Sequence, residues 1–328
     1  INASWTSNSW NQWGFSLERK PLVGGSFAEI VETAADAVSY NNTGLTANTG
    51  YTYRCRAKLG GNFSAYTGEV SATTYATETE TLIAAGRYTN APTTALKDLI
   101  NTTIAGLKSD GVFALGDCLY VRGVHESLFA CQNWIRNSNN STLVNNPTFT
   151  AKVGFTGDGI SMYINTNFNP STDATQMTLN DATVAIMMPT VPTINASFLL
   201  GASTSATRII RITHFTAANE RFYMFNPNST FNGNTNMVNG NMLSYIVTDA
   251  GTKCQGYING NASGAQTTGL VSLSSLTLTM YEMNQNALLT YADGVYSFTF
   301  YGKGLTATQM LALYTRIKYF YDNVGGTF

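Results

Sequence analysis

This sequence predicts an all-β chain of two sandwiches, one small and one large, with a short helical segment ahead of the larger and a helix at its end. Three observations carry that prediction. Short runs of alternating apolar and polar residues recur along most of the chain, with Gly, Asn, Asp and Pro between them, as half-buried strands require. The alternation gives way to a helical period near residues 93–134 and again over 306–321. Hydrophobic residues make up 44% of the 328 positions, enough for two cores, while charged residues are only 11%. Asn, Thr, Ser and Gly therefore carry the solubility, and the usual quarter of charged residues is missing.

The small unit spans 1–75. Its strands are expected at Ile1–Trp5, Gly14–Arg19, Phe27–Glu32, Ala37–Tyr40, Leu45–Ala57 and Ala65–Thr74, closely spaced as in a sandwich. The chain opens inside a strand run, so it reads as a fragment or processed product whose missing N-terminal part holds an anchor. Residues 76–92 read as a linker, with Glu78 and Glu80 as solvated charges. In 93–134, Leu96, Leu99, Ile100, Thr103 and Leu107 fall on one helical face between Pro92-Thr-Thr and Asp110-Gly111, and two shorter helices are expected around Leu115–Val121 and Glu126–Trp134. Together they form a helical collar.

Residues 135–328 return to strands. Gly157-Asp158-Gly159 turns between two of them, and Asn259-Gly260 is a strong hairpin signal. Further strands are expected at Ala182–Met188, Ser197–Ala202, Arg208–Phe215, Arg221–Phe225, Met242–Asp249, Lys253–Ile258, Leu276–Glu282 and Val295–Tyr301. That many strands without helices between them imply two packed antiparallel sheets. At the end, Thr306 caps a helix, Gln309 completes a capping box, and Met310, Leu313, Tyr314, Ile317 and Tyr321 face the sandwich.

Charge excludes several functions. Eighteen basic and nineteen acidic residues give a net charge of −1, so no basic field is available for nucleic acid or anionic lipid. No apolar run approaches the roughly 18 residues of a membrane span. The four cysteines form no CxxC and the two histidines lie far apart, which argues against zinc. Cys118 and Cys131 either pair or fill the core.

Catalytic signatures are missing as well. There is no Gly-x-Ser-x-Gly elbow and no P-loop. Glycoside hydrolysis needs two carboxylates flanking a cleft, whereas Glu282 stands alone. The expectation is a protein that is not an enzyme and needs no cofactor. Asp158 and Asp293 sit in glycine turns. They either hold the turn backbone or bind calcium, since loop carbonyls and carboxylates suit hard cations. A binding site would use aromatic platforms and amides in rim loops. The richest candidate lies in Phe222–Met237, where Asn226, Asn228, Phe231, Asn232, Asn234 and Asn236 are the expected ligand contacts. Tyr163, Tyr223 and Tyr281 read as sandwich residues.

Two resemblances follow from these residues. Leu45 and Tyr51 spaced as in a tyrosine corner, Cys55 and Ala57 in register, Trp5, and Ser64–Thr74 as a last strand together resemble a fibronectin type III domain whose first strand is missing. Phe155-Thr-Gly-Asp158-Gly through Ile164, Leu243–Gly260, Ala292–Phe298 and Phe300–Tyr314 resemble the laminin-G-like, concanavalin A-like jelly roll. The order of the whole chain is similar to C-terminal modules of bacteriophage tail and other virion-surface proteins. That likeness implies a tail or capsid appendage on the virion surface, homo-oligomeric and joined to other virion proteins. It would attach to bacterial surface glycan or decorate the particle. A polysaccharide-degrading tail enzyme and a purely architectural decoration are the alternatives.

Overall fold

The computed structural model describes residues 1–8, 11–84, 86–178, 180–194, 197–205, 208–214, 220–224, 230–233, 238–240, 242–248, 253–268, 279–283 and 291–326. The chain forms two compact units, Ile1–Thr77 and Glu78–Phe328.

The first unit holds β1 (Asn2–Ser4), β2 (Gly14–Pro21), β3 (Ala28–Glu32), β4 (Ser39–Asn41), β5 (Gly50–Leu59), β6 (Asn62–Phe63) and β7 (Val70–Thr73). β1 and β4 pair as a two-stranded sheet, and the other runs β3-β2-β5-β6, with β7 also on β5. Alternation decides which residues meet. Phe15 and Leu17 from β2 and Tyr51, Tyr53 and Cys55 from β5 form the buried core, against which Ile1, Ala3 and Trp5 pack. The odd-numbered apolar positions of β5 point inward, so Arg54, Arg56 and Lys58 line the outer face. There Arg54 stacks on Tyr66 at 3.7 Å and pairs with Glu18 at 2.6 Å, and Arg56 stacks on Phe63 at 3.8 Å. Thr46 donates its N–H to the Tyr51 hydroxyl at 3.2 Å.

The second unit begins with α1 (Thr77–Leu82), α2 (Thr94–Ser109), a 3-10 turn at Phe113–Leu115, β8 (Gly116–Val121) and α3 (Ser127–Ala130). Then come β9 (Thr142–Val144), β10 (Thr148–Thr150), β11 (Gly154–Thr156), β12 (Tyr163–Asn165), β13 (Ala182–Met187), β14 (Ser197–Ser205), β15 (Arg208–His214), β16 (Glu220–Met224) and β17 (Thr230–Gly233). The chain closes with β18 (Met242–Thr248), β19 (Lys253–Ile258), β20 (Asn261–Thr268), β21 (Tyr281–Glu282), β22 (Val295–Tyr296), β23 (Phe298–Gly302) and α4 (Ala307–Val324). Among the described residues one sheet runs β20-β19-β18-β13-β23-β8, a second runs β17-β16-β15-β14-β21-β12-β9, and a small third is β10-β11-β22. All-β sandwiches closed by a helix are thus what the chain builds.

Two sequence expectations change. Residues 116–121 form a strand, not a helix: β8 pairs antiparallel with β23 along Phe298–Val121. Its short apolar run has no period of its own, and pairing decides the outcome. The 76–92 stretch is not purely a linker. It carries α1, where Glu78 bonds Lys108 at 2.8 Å.

The six-stranded sheet is sealed on its outside by helices. Ser244 on β18 contacts the Met310 sulfur of α4 at 3.0 Å, so Ser244 and the residues in register with it, Ala185, Phe300 and Leu119, face the helix. Tyr245, Val184, Tyr301 and Cys118 take the opposite face, toward the sandwich interior. α2 is capped by Thr93, whose hydroxyl accepts from the Leu96 N–H. α4 carries the full capping box at Thr306 and Gln309 and ends at Gly325 with φ 78°. Met310, Leu313, Ile317, Phe320 and Tyr321 are its buried stripe, while Tyr314 is only half-buried. The two helices cross closely at Gly106, where a Cβ would come within 2.6 Å of Arg316, and Arg316 bonds Asp110 at 2.8 Å. All four cysteines are free and buried, and burial pushes the Cys118 thiol up to about 12. No helix among the described residues is long and apolar enough to cross a membrane.

Candidate functional site: an aromatic face on the open sheet

The seven-stranded sheet has an inner face of fully buried residues: Ile164, Leu200, Ala202, Ile210, Ile212 and Glu282. Register places Ile164 and Leu200 both opposite Glu282. Side chains alternate along a strand, so Tyr163, Asn165 and Tyr281 belong to the outer face. All three are half-buried, as is Tyr291. The rings of Tyr163 and Tyr281 meet edge to face at 5.6 Å, and Tyr163 lies 6.2 Å from Tyr291. None of the three hydroxyls has a hydrogen-bond partner among the described residues. Burial lifts the Tyr163 phenol above its ordinary value, and the neighbouring Tyr281 and Tyr291 add to the shift. In backbone register the row continues from Tyr281 through Gly201, Arg211, Tyr223 and Thr230.

Glu282 explains why this face is open to tyrosines. Its carboxylate takes two bonds from Arg122, from Nε at 2.8 Å and from one terminal nitrogen at 2.5 Å. Both residues are wholly buried. The remaining Arg122 donors reach the Ala130 carbonyl at 3.0 Å and the Ser141 hydroxyl at 3.1 Å. Glu282 therefore faces inward, and its neighbour Tyr281 must face outward. It is not a hydrolytic acid on an exposed cleft.

Polar groups frame the rings. The Asp158 carboxylate accepts the N–H groups of Ile160, Ser161 and Met162 at 2.8–2.9 Å and the Ser161 hydroxyl at 3.1 Å. Burial alone would raise this carboxyl. The three N–H donors outweigh it and bring it to about 2. The turn so fixed presents Ile160, 76% exposed. Asn145 donates to the Ser161 carbonyl at 3.0 Å, from a turn in which Asn145 and Asn146 have φ of 56° and 55°. Asp293 accepts the N–H groups of Thr193 and Ile194 at 2.9 and 3.2 Å. Gly157 N–H, bonded to the Gly294 carbonyl at 3.3 Å, ties the two aspartate turns together. Both aspartates thus hold turn backbone. Among the described residues no group of three or more His, Cys, Asp or Glu is placed to hold a metal ion. At the β12 edge, the Asn165 side-chain oxygen accepts the Asn167 N–H at 2.9 Å, which leaves its amide NH2 without a partner among the described residues.

Of the ligand contacts expected from sequence, Asn226, Asn228, Asn234 and Asn236 lie outside the described residues. Phe231 and Asn232 fall on β17, in register with Phe222 and Arg221, at the edge of this same sheet. Tyr163 and Tyr281 lie on strands of the sandwich, as expected, and are half-buried on its outer face. The alternation Tyr163-Ile164-Asn165 carried that signal. In Tyr281-Glu282 the polar residue goes inward, because Arg122 awaits it, and the usual polar-out rule misassigns the pair.

No family model matches the chain, and no curated protein matches its sequence. Among solved structures it is similar to domain 4 of an extracellular GH43 arabinanase from Geobacillus stearothermophilus, in complex with arabinotriose. That match has 13% identity and a TM-score of 0.42, over 61% of this chain and 98% of that one. It is similar to Trypanosoma rangeli sialidase at 9% identity and TM-score 0.43, over 81% of this chain and 42% of that one. The botulinum neurotoxin serotype D binding domain matches at 11% identity and TM-score 0.43, over 62% of this chain and 52% of that one. The chain therefore spans about half or less of the sialidase and toxin chains. What the tyrosine face can do follows from its own geometry.

Proposed function

We propose that the second unit binds carbohydrate without turning it over, through Tyr163, Tyr281 and Tyr291. The observation that carries the reading is the three-ring cluster, half-exposed and, among the described residues, without hydroxyl partners, on the outer face of the seven-stranded sheet. A sugar ring has an apolar C–H face and a polar rim. An aromatic platform stacks on the first, and tyrosyl hydroxyls and the Asn165 amide bond the second. The nearby carboxylates are engaged by N–H donors or by Arg122, which supports binding over catalysis. A shallow open face suits millimolar affinity, about −4 kcal/mol, and several copies on one particle would strengthen it.

The finer reading is an appendage on a virion surface, homo-oligomeric, fixed to other virion proteins and presenting this face to bacterial surface glycan. Its support is the sequence likeness to phage modules, the scarcity of charge and the Tyr51 corner in the first unit. The test is a titration of the full chain with bacterial surface polysaccharides, read by calorimetry and by released reducing sugar. Saturable binding without sugar release is expected. Sugar release would point instead to a depolymerase, and absence of binding across the panel to an architectural decoration.

A further inference from the structure

The polar side of the tyrosine face has a fixed polarity. Asn165 stands two residues beyond Tyr163 on β12, on the same outer face, and its side-chain oxygen accepts the Asn167 N–H at 2.9 Å. A backbone N–H can bond only the oxygen end of a side-chain amide. The flip of Asn165 is therefore settled, and its NH2 is the end turned to a ligand. That orientation is held from behind. Asn167 takes a left-handed backbone with φ 53°, and its own amide donates to the Asn140 carbonyl at 2.7 Å. The Asn167 carbonyl accepts the Asn139 amide at 2.6 Å, and Asn139 also donates to Asp173 at 3.0 Å. A ligand thus meets Asn165 as a pre-set donor.

An apolar position lies beside it. On β9, the edge strand among the described residues, Val144 pairs with Tyr163 and Thr142 pairs with Asn165. Val144 is half-buried, and the turn that follows it is pinned to β12 by the Asn145 bond to Ser161. Neighbouring strands lie about 4.8 Å apart, and alternate residues of one strand about 7 Å apart. Asn165, Val144 and Tyr163 therefore mark three corners of one small patch. It suits a ligand group that holds an acceptor and a methyl side by side, next to an apolar ring face. A sugar hydroxyl supplies an acceptor without a methyl, and a deoxy sugar a methyl without the carbonyl. An acetamido substituent supplies both. Its carbonyl takes the Asn165 N–H, its methyl covers Val144, and its own N–H can donate to a tyrosyl oxygen.

We propose that the tyrosine face selects acetamido sugars, with Asn165 and Val144 as the residues that read the substituent. This rests on the reading of that face as a carbohydrate platform and narrows it to one substrate class.

The probes are two trisaccharides with the same β-1,4 linkage, one of N-acetylglucosamine and one of glucose, titrated by calorimetry into the full chain. They differ only in carrying an acetamido group or a hydroxyl at C2. The acetamido trimer is expected to bind about tenfold tighter, the worth of one hydrogen bond and one covered methyl. Asn165→Asp keeps the oxygen that receives the Asn167 N–H and removes the NH2, so it should cut that advantage to about threefold or less. Val144→Thr, nearly the same in shape but polar, should also reduce it. Equal affinity for the two trimers overturns the proposal and leaves the platform standing, as does an advantage undiminished in a folded Asn165→Asp variant. If neither trimer binds, the proposal falls, and the polysaccharide panel alone decides the platform reading.

Discussion

The two large sheets of the second unit use their faces differently. β8, β13 and β23 in the six-stranded sheet are buried at every position, because the sandwich interior lies on one side and α4 on the other. In the seven-stranded sheet, β12 alternates half-buried, buried, half-buried, with Ile164 turned inward and Tyr163 and Asn165 outward. A strand buried on both faces spends all its residues on packing. A strand with one open face has every second residue to spare, and here those positions hold tyrosines and an asparagine. The proposed binding surface therefore uses the sheet whose outer positions are half-exposed among the described residues, and the helix-packed sheet supplies the support.

The largest effect should come from breaking the link between the sheets. Arg122 and Glu282 are both fully buried, so Arg122→Met strands a carboxylate and should cost about 3–5 kcal/mol in denaturant unfolding of the second unit. Pairing it with Glu282→Leu should recover most of that loss. Next comes the helical cover: Leu313→Ala, at a wholly buried α4 position, should cost about 2–5 kcal/mol. Removing the α4 cap with Thr306→Ala should cost only about 1 kcal/mol.

On the open face the stability effects are smaller. Asp158→Asn weakens the acceptor for three N–H groups and should cost about 1–2 kcal/mol. Its pH dependence has a definite sign. The folded carboxyl sits at about 2, below the ordinary 3.8. Its contribution is complete above the ordinary value and is lost as pH falls through about 2. Acid titrations of wild type and Asp158→Asn should therefore begin to approach each other below about pH 4 and converge only below about pH 2. Smallest is Tyr301→Phe. That buried hydroxyl has no partner among the described residues, so its loss should leave stability unchanged or raise it slightly.

Much of this was legible in the sequence. The capping box of α4, the α2 stripe and most strands follow from period and turn chemistry. What local pattern could not supply was pairing over long separations. Residues 116–121 become a strand because Phe298–Gly302 lies beside them, and Glu282 points inward because Arg122, 160 positions away, is there to meet it. The same long-range pair turns Tyr281 outward, an arrangement that the two-residue run Tyr281-Glu282 could not show by itself. The expected Asn-rich contacts lie mostly outside the described residues, and only the β17 edge at Phe231 and Asn232 joins them to the sheet.

The most direct measurement is a glycan titration of the wild-type chain against the Tyr163→Ala/Tyr281→Ala double variant, with Tyr301→Phe as the interior control. If the open face is the binding surface, the double variant should lose at least tenfold in affinity while unfolding within about 1 kcal/mol of wild type, and Tyr301→Phe should bind normally. Undiminished binding by a folded double variant would contradict it.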